Sequence, residues 1–163
     1  RLINDNGEIT MKKIVVALAL AGIASASFAQ QSLKPEEMIK IRKSGYSFMS
    51  WNMGKIKANL DGNFNKEQVI AAANVVAATA NSGMGALYAP GTEKDVGDQK
   101  TRVKPEFFDP AHKTKLNEVA MAFNKEANEL AKVAATGDVA AIKAQFGKTG
   151  GTCKGCHDAF RKD

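Results

Sequence analysis

The chain has 163 residues, enough for one domain, with 44% apolar and 25% charged side chains and a formal charge of +6. Those proportions exclude a collagen-like, purely coiled-coil or disordered chain and leave an ordinary globular one. With only two cysteines and two histidines, any metal or redox site built from them must use nearly all of them.

Residues 1–10 precede the first plausible initiator, Met11, and are expected to be upstream or artefactual sequence. Residues 11–29 have the pattern of a signal peptide: a basic start at Lys12-Lys13, a wholly apolar run from Ile14 to Ala24, and small Ser27 and Ala29 before a cut at Gln30. The run is far short of the ~20 apolar residues that a spanning helix needs. Export to the periplasm is therefore expected, with a folded domain over residues 30–163 that does not span the membrane. That domain contains no basic run with interleaved aromatics, so nucleic acid is not an expected partner. Its modest positive charge suits acidic partners or simple solubility.

Four segments of this domain carry a helical apolar period. The first starts at Pro35, with Glu36 and Glu37 at the positive end of the helix dipole, and ends at Asp61-Gly62-Asn63. Its stripe is Met38, Arg42, Tyr46, Met49, Met53, Ile56 and Leu60. Asn65 caps the second, with Gln68 three residues on, and small residues such as Ala73 and Ala77 permit close helix approach. The period then disappears from Tyr88 to Phe108, where Pro90, Gly91, Gly97 and Pro105 predict a long irregular connection. A link that long suggests a functional role. Asp109-Pro110 opens the third helix, Gly137 stops it, and Asp138 caps the fourth, whose stripe runs Val139, Ile142, Phe146, Cys153, His157 and Phe160. The expected fold is all-α, an antiparallel up-down four-helix bundle.

Cys153-Lys154-Gly155-Cys156-His157 is C-x-x-C-H, the attachment sequence for a c-type haem. On a helix the two sulfurs, three residues apart, can reach two vinyl groups on one porphyrin edge. His157, four residues after Cys153, turns its imidazole along the same face. Gly150, Gly151 and Gly155 each cost about 1 kcal/mol against Ala in a helix interior, and their missing Cβ atoms would let a flat macrocycle approach the backbone. A thioredoxin-like dithiol would call for a preceding strand and a βαβ setting. Zinc would require Cys153, Cys156, His157 and His112 in one tetrahedron. A Cys153–Cys156 disulfide would be strained within a helical turn and would leave His157 without a role.

With this motif near its C-terminus, the chain resembles the cytochrome c′ family. The resemblance extends from Gln31 to Lys162 and includes Lys34-Pro35-Glu36-Glu37, Arg42-Lys43-Ser44, Ala89-Pro90-Gly91-Thr92-Glu93, Lys104-Pro105-Glu106 and Cys153 through Arg161. It implies one covalent haem c between helices near the C-terminal helix, with His157 as the iron ligand. It further implies a high-spin, five-coordinate iron whose sixth position is closed over by Tyr46. Arg42 and Lys43 match positions at the haem edge, Thr101 is a candidate for the same edge, and Arg161 matches a basic residue on the proximal side. The implied function is one-electron transfer with a periplasmic donor or acceptor, together with binding of NO and CO. A homodimer through the first two helices is implied as well, with Ile41, Phe48 and Trp51 as its apolar surface.

Two other readings stay open. Met38, Met49 or Met53 could occupy the sixth position and make a low-spin electron carrier, or the two thiols could act as a redox pair. No nucleophile with a matched base and no paired carboxylates are visible, so an enzyme is not expected. His112, close to Lys113 and Lys115, is expected at the surface.

Overall fold

Lys34 donates its backbone N–H to the Glu37 carboxylate at 2.8 Å, and Pro35 at the first helical position has no N–H to satisfy, so the first helix starts where its caps place it. The computed structural model describes residues 33–162; the expected upstream segment and signal peptide lie outside the described residues. Helix α1 runs Pro35–Asp61, α2 Lys66–Ala80, α3 Lys113–Thr136 and α4 Val139–Phe160. The expected bundle of four helices is the observed one.

At α2 the Asn65 side chain accepts the Gln68 N–H at 2.8 Å, as expected. The return contact differs from a capping box. The Asn65 N–H goes to Asn59 Oδ1 at 2.8 Å, and the amide of Asn59 bonds the Gln68 side chain, so one buried asparagine on α1 ties the two helices across their turn. Between α3 and α4, Gly137 takes the left-handed conformation at φ +77°, and Asp138 Oδ1 accepts the Ala141 N–H at 3.0 Å.

Two sequence expectations need correction. Asp109 caps a short 3₁₀ turn, Pro110–His112, through the Ala111 N–H at 2.9 Å, and α3 begins only after it. The long connection is also less irregular than its composition suggests. It contains the 3₁₀ turn Pro105–Phe108 and a bridge between Val96 and Gln99, and a further 3₁₀ turn, Met84–Leu87, leads into it.

Ile56, Val69, Ala72, Ala73, Leu130, Ala134 and Ile142 form the main core cluster, drawn from all four helices. Full burial of a side chain such as Leu130 or Ile142 contributes about 1.5–3 kcal/mol. The alanines of α2 let α1 and α3 close on it. Near the C-terminal half of α4 the packing turns polar: Gln145 donates to the Glu126 carboxylate at 2.7 Å, and Thr149 donates to the Glu126 carbonyl at 3.1 Å. Helices α1 to α4 pack in chain order, whereas α1 and α4 touch only sparsely. The bundle is therefore most open along the α1–α4 seam, where α4 carries its cysteines. No helix among the described residues is long and apolar enough to cross a membrane.

Candidate haem site

Cys153, Cys156 and His157 lie in the last turns of α4, which stays helical through four glycines to Phe160. Both cysteines are half-buried and unpaired, and burial pushes both thiols above their ordinary value. A dithiol built for exchange needs the opposite shift, usually supplied by a helix N-terminus or a nearby cation. Among the described residues no three His, Cys, Asp or Glu side chains are grouped to hold a metal ion, so the four-ligand tetrahedron with His112 does not form. His112 is half-buried in its own turn, 3.4 Å from Asp109.

The imidazole of His157 is exposed, and its Nδ1 lies 3.3 Å from Nη1 of Arg161. A guanidinium can only donate, so Nδ1 is the acceptor and Nε2 the uncommitted ring nitrogen. Partial burial and then the positive charges of Arg161 and Arg102 hold the imidazole below its ordinary pKa. Arg161 lies just past the helix as its extended C-cap. Segment 102–104 pins it there: the Lys104 N–H donates to the Phe160 carbonyl at 2.8 Å and the Lys162 N–H to the Arg102 carbonyl at 2.7 Å. Arg102, Lys104, His157, Asp158, Arg161 and Lys162 line a cavity of about 410 Å³ at this end.

Arg42, on α1, is 2% exposed. Its Nη1 donates to Thr92 Oγ1 at 2.8 Å and to the Leu87 carbonyl at 3.1 Å. Its Nη2 donates to the Thr92 carbonyl at 2.7 Å and to Thr101 Oγ1 at 2.8 Å. The sequence-derived pair of Arg42 and Thr101 is thus brought together. Lys43, one residue on, faces elsewhere: it lines an outer groove with Lys40, Ser44, Ser47, Phe48, Trp51 and Gln99 and is not beside Arg42. A single helical step turns a side chain by roughly 100°, which separates the two.

Tyr46 is 38% exposed, yet its phenol is desolvated enough to raise its pKa, and it is electrostatically coupled to Cys156 and Cys153 across the seam. Of the methionines on the stripe, Met49 packs in the core with Val76 and Ala127, and Met53 packs against the same cluster. Met49 therefore belongs to the interior, whereas more than a third of Tyr46 is exposed.

Sequence reasoning missed Tyr88 and Phe107. The Tyr88 ring lies 4.4 Å below the guanidinium carbon of Arg42 and stacks on Phe107 at 4.3 Å, and Phe107 meets Phe160 of α4 edge-on at 5.6 Å. The available signal was a cluster of aromatics inside a loop rich in Pro and Gly.

These residues fit a haem. Cβ atoms built on Gly150, Gly151 and Gly155 meet no other group within 4 Å, so α4 presents an open backbone face beside its cysteines. Among the described residues, Arg42 is a buried cation held by hydroxyls, carbonyls and an aromatic face, with no carboxylate partner. A buried charge of that kind calls for a counter-charge, and the haem propionates have the required sign.

An all-α bundle with an open C-x-x-C-H face on its last helix defines a c-type haem protein. The family model described as cytochrome c′ matches residues 37–161. The chain is 54% identical to cytochrome c′ of Allochromatium vinosum over 155 residues, covering 93% of this chain and 99% of the relative. It is 60% identical to cytochrome c′ of Rhodocyclus tenuis over 130 residues, covering 79% and 96%. A solved cytochrome c′ described as having an unusual ligand-controlled dimer dissociation superposes with a TM-score of 0.78 at 58% identity, covering 81% of this chain and 99% of that one. Variants of cytochrome c′ from Alcaligenes xylosoxidans, 28% identical with TM-scores of 0.68, have been solved with nitric oxide and with carbon monoxide. The chain belongs to the cytochrome c′ family, whose members carry a covalently attached c-type haem.

Proposed function

We propose that this chain is a periplasmic c-type haem protein with a five-coordinate, high-spin iron that binds small uncharged gases and exchanges single electrons. When bound, the haem supplies a redox-active iron with one position open to NO or CO. Cys153 and Cys156 would hold it by thioether links, His157 would supply the axial nitrogen, and Arg42 would face the propionates from its cage of Thr92 and Thr101. The observation that carries the reading is the residue facing the cysteines from α1. It is Tyr46, a neutral phenol and a poor iron ligand, while Met49 and Met53 are packed in the core. A bulky lid without a committed donor excludes water and yields to a small ligand. The same closure disfavours O₂, whose bound form wants a polar donor.

The reading includes a homodimer. Ile41, Phe48 and Trp51 are 44%, 53% and 58% exposed on the outer side of α1, and the last two stack at 5.7 Å. A patch of that kind marks a contact surface, and a close relative is described as dissociating under ligand control.

Absorption spectra of the oxidised, reduced and CO-treated reduced protein test the reading. High-spin bands that shift on adding CO are expected, whereas sharp low-spin bands unchanged by CO would establish a filled sixth position.

A further inference from the structure

Two chain segments far apart in sequence meet just past His157. The backbones of Val103 and Arg161 pair as an antiparallel bridge, with the Lys104 N–H on the Phe160 carbonyl at 2.8 Å and the Lys162 N–H on the Arg102 carbonyl at 2.7 Å. This short ribbon fixes Arg102, Lys104, Arg161 and Lys162 around the cavity of about 410 Å³ that His157 and Asp158 also line. Neither cysteine, nor Tyr46, nor any glycine of α4 borders it, so it is separate from the open face that carries the thiols. Its charges are unbalanced. Four cations surround it, and none of them makes an ion pair among the described residues. The carboxylate of Asp158 is turned to Lys154, one turn back on α4, at 2.5 Å, and the Lys104 ammonium donates to an uncharged partner, the Asp158 carbonyl, at 3.0 Å. A concave site lined by one sign of charge concentrates the opposite ion.

We propose that this cavity is a binding site for a small oxyanion of the phosphate class, held by Arg102, Lys104, Arg161 and Lys162 beside the imidazole of His157. Guanidinium forks and ammonium groups match the spread of oxygens on such an ion, which a single spherical anion does not offer. The imidazole gives a further reason, which rests on the reading of His157 as the haem ligand. An imidazole bonded to iron through Nε2 carries its ring proton on Nδ1, and a histidine ligand almost always donates that N–H to an oxygen acceptor. Here the group at Nδ1 is the Arg161 guanidinium at 3.3 Å, which has no acceptor to offer. An oxyanion in the cavity accepts from Nδ1–H and from Arg161 together and turns a meeting of two donors into a bridge. Its negative charge favours the oxidised iron, so by linkage the oxidised protein binds it more tightly than the reduced one.

Calorimetric titration of inorganic phosphate into the oxidised and the reduced holoprotein tests the site, in a chloride background of constant ionic strength so that only binding beyond chloride registers. One saturable site per chain is expected, open to sulfate as well, with an affinity about 2- to 10-fold higher in the oxidised form, the factor for one unit of charge across several ångströms of screened medium. Arg102→Gln and Lys162→Gln keep the backbone bonds of the ribbon and should each weaken phosphate binding about 3- to 10-fold. Lys143→Gln removes the same charge about 21 Å from His157 along α4 and should leave the affinity as it is. No saturable binding, or a loss as large in Lys143→Gln as in the cavity variants, would mean diffuse attraction to a positive surface and would overturn the site. Equal affinity in the two oxidation states would overturn the bridge to His157. If the protein carries no haem, the haem reading fails, and the same titration of wild type and cavity variants still decides the anion site.

Discussion

Arg42 bonds both oxygens of Thr92: Nη1 reaches the hydroxyl at 2.8 Å and Nη2 the carbonyl at 2.7 Å, with Thr92 itself wholly buried. This contact joins the middle of α1 to the connection between α2 and α3 across 50 residues of sequence. The Thr92 hydroxyl passes the bond on, donating to the Ala89 carbonyl at 2.8 Å. Thr92→Val keeps the shape and strands a buried guanidinium N–H, at a cost of about 2 kcal/mol. Urea unfolding should show a lower midpoint at unchanged slope. A midpoint equal to wild type would mean that the hydroxyl is dispensable.

The same loop should loosen in acid. Asp95 accepts the Thr101 N–H at 2.8 Å and pairs with Lys100 at 3.3 Å, and these partners hold its carboxyl below the ordinary 3.8. Glu93, held by its own and neighbouring backbone N–H groups, including that of Gly91 at 2.7 Å, is likewise below 4.5. A folded value below the unfolded one gives stability that is complete above those ordinary values and is lost as pH falls through the folded ones. Hydrogen exchange should therefore show Thr101 amide protection falling once pH drops past 3.8, and Asp95→Asn should lack that protection already at neutral pH. A wild-type amide protected equally at both pH values would contradict this.

Alkaline titration reads the other direction. The chain has two tyrosines, and burial is the largest cause raising both Tyr46 and Tyr88 above 10.0. A raised folded value gives stability present below pH 10.0 and lost as pH climbs toward the folded values. At pH 10.0 the folded protein should show less phenolate absorbance than the urea-unfolded protein at the same pH. Half-ionisation of either tyrosine in the folded state would show a wetter site than the geometry gives.

The caps and the haem motif were legible in the sequence because their signals are local. Asn65 with Gln68, Gly137 with Asp138, and the pentapeptide from Cys153 to His157 each specify their geometry within a few residues. Arg42 was legible for a different reason: a cation on an apolar stripe has to be held by something. What held it was not legible, since Thr92, Leu87 and Thr101 come from a loop without period, and only the closed chain brings them to one guanidinium. Tyr88 and Phe107 escaped notice for the same cause. Lys43 follows Arg42 in sequence, yet neighbouring side chains on a helix diverge, and it lines the outer groove with Lys40 and Trp51. Met49 shares a stripe with Tyr46, but the stripe is wide enough that one side chain meets the core and the other the seam.

On the outer face of α1, Phe48→Glu should place a charge against the stacked Trp51 ring and leave the core untouched. Sedimentation at micromolar concentration should then show a monomer where the wild-type protein is a dimer, with the CO spectrum unaltered. A wild-type monomer, or a variant that remains dimeric, would remove this face from the account.

Intact-mass measurement of the protein matured in an exporting host, after denaturation and treatment with a thiol-alkylating reagent, tests the central claim most directly. The account predicts a mass raised by one haem, with Cys153 and Cys156 both refractory to alkylation. A mass without haem, with both sulfurs alkylated, would contradict it.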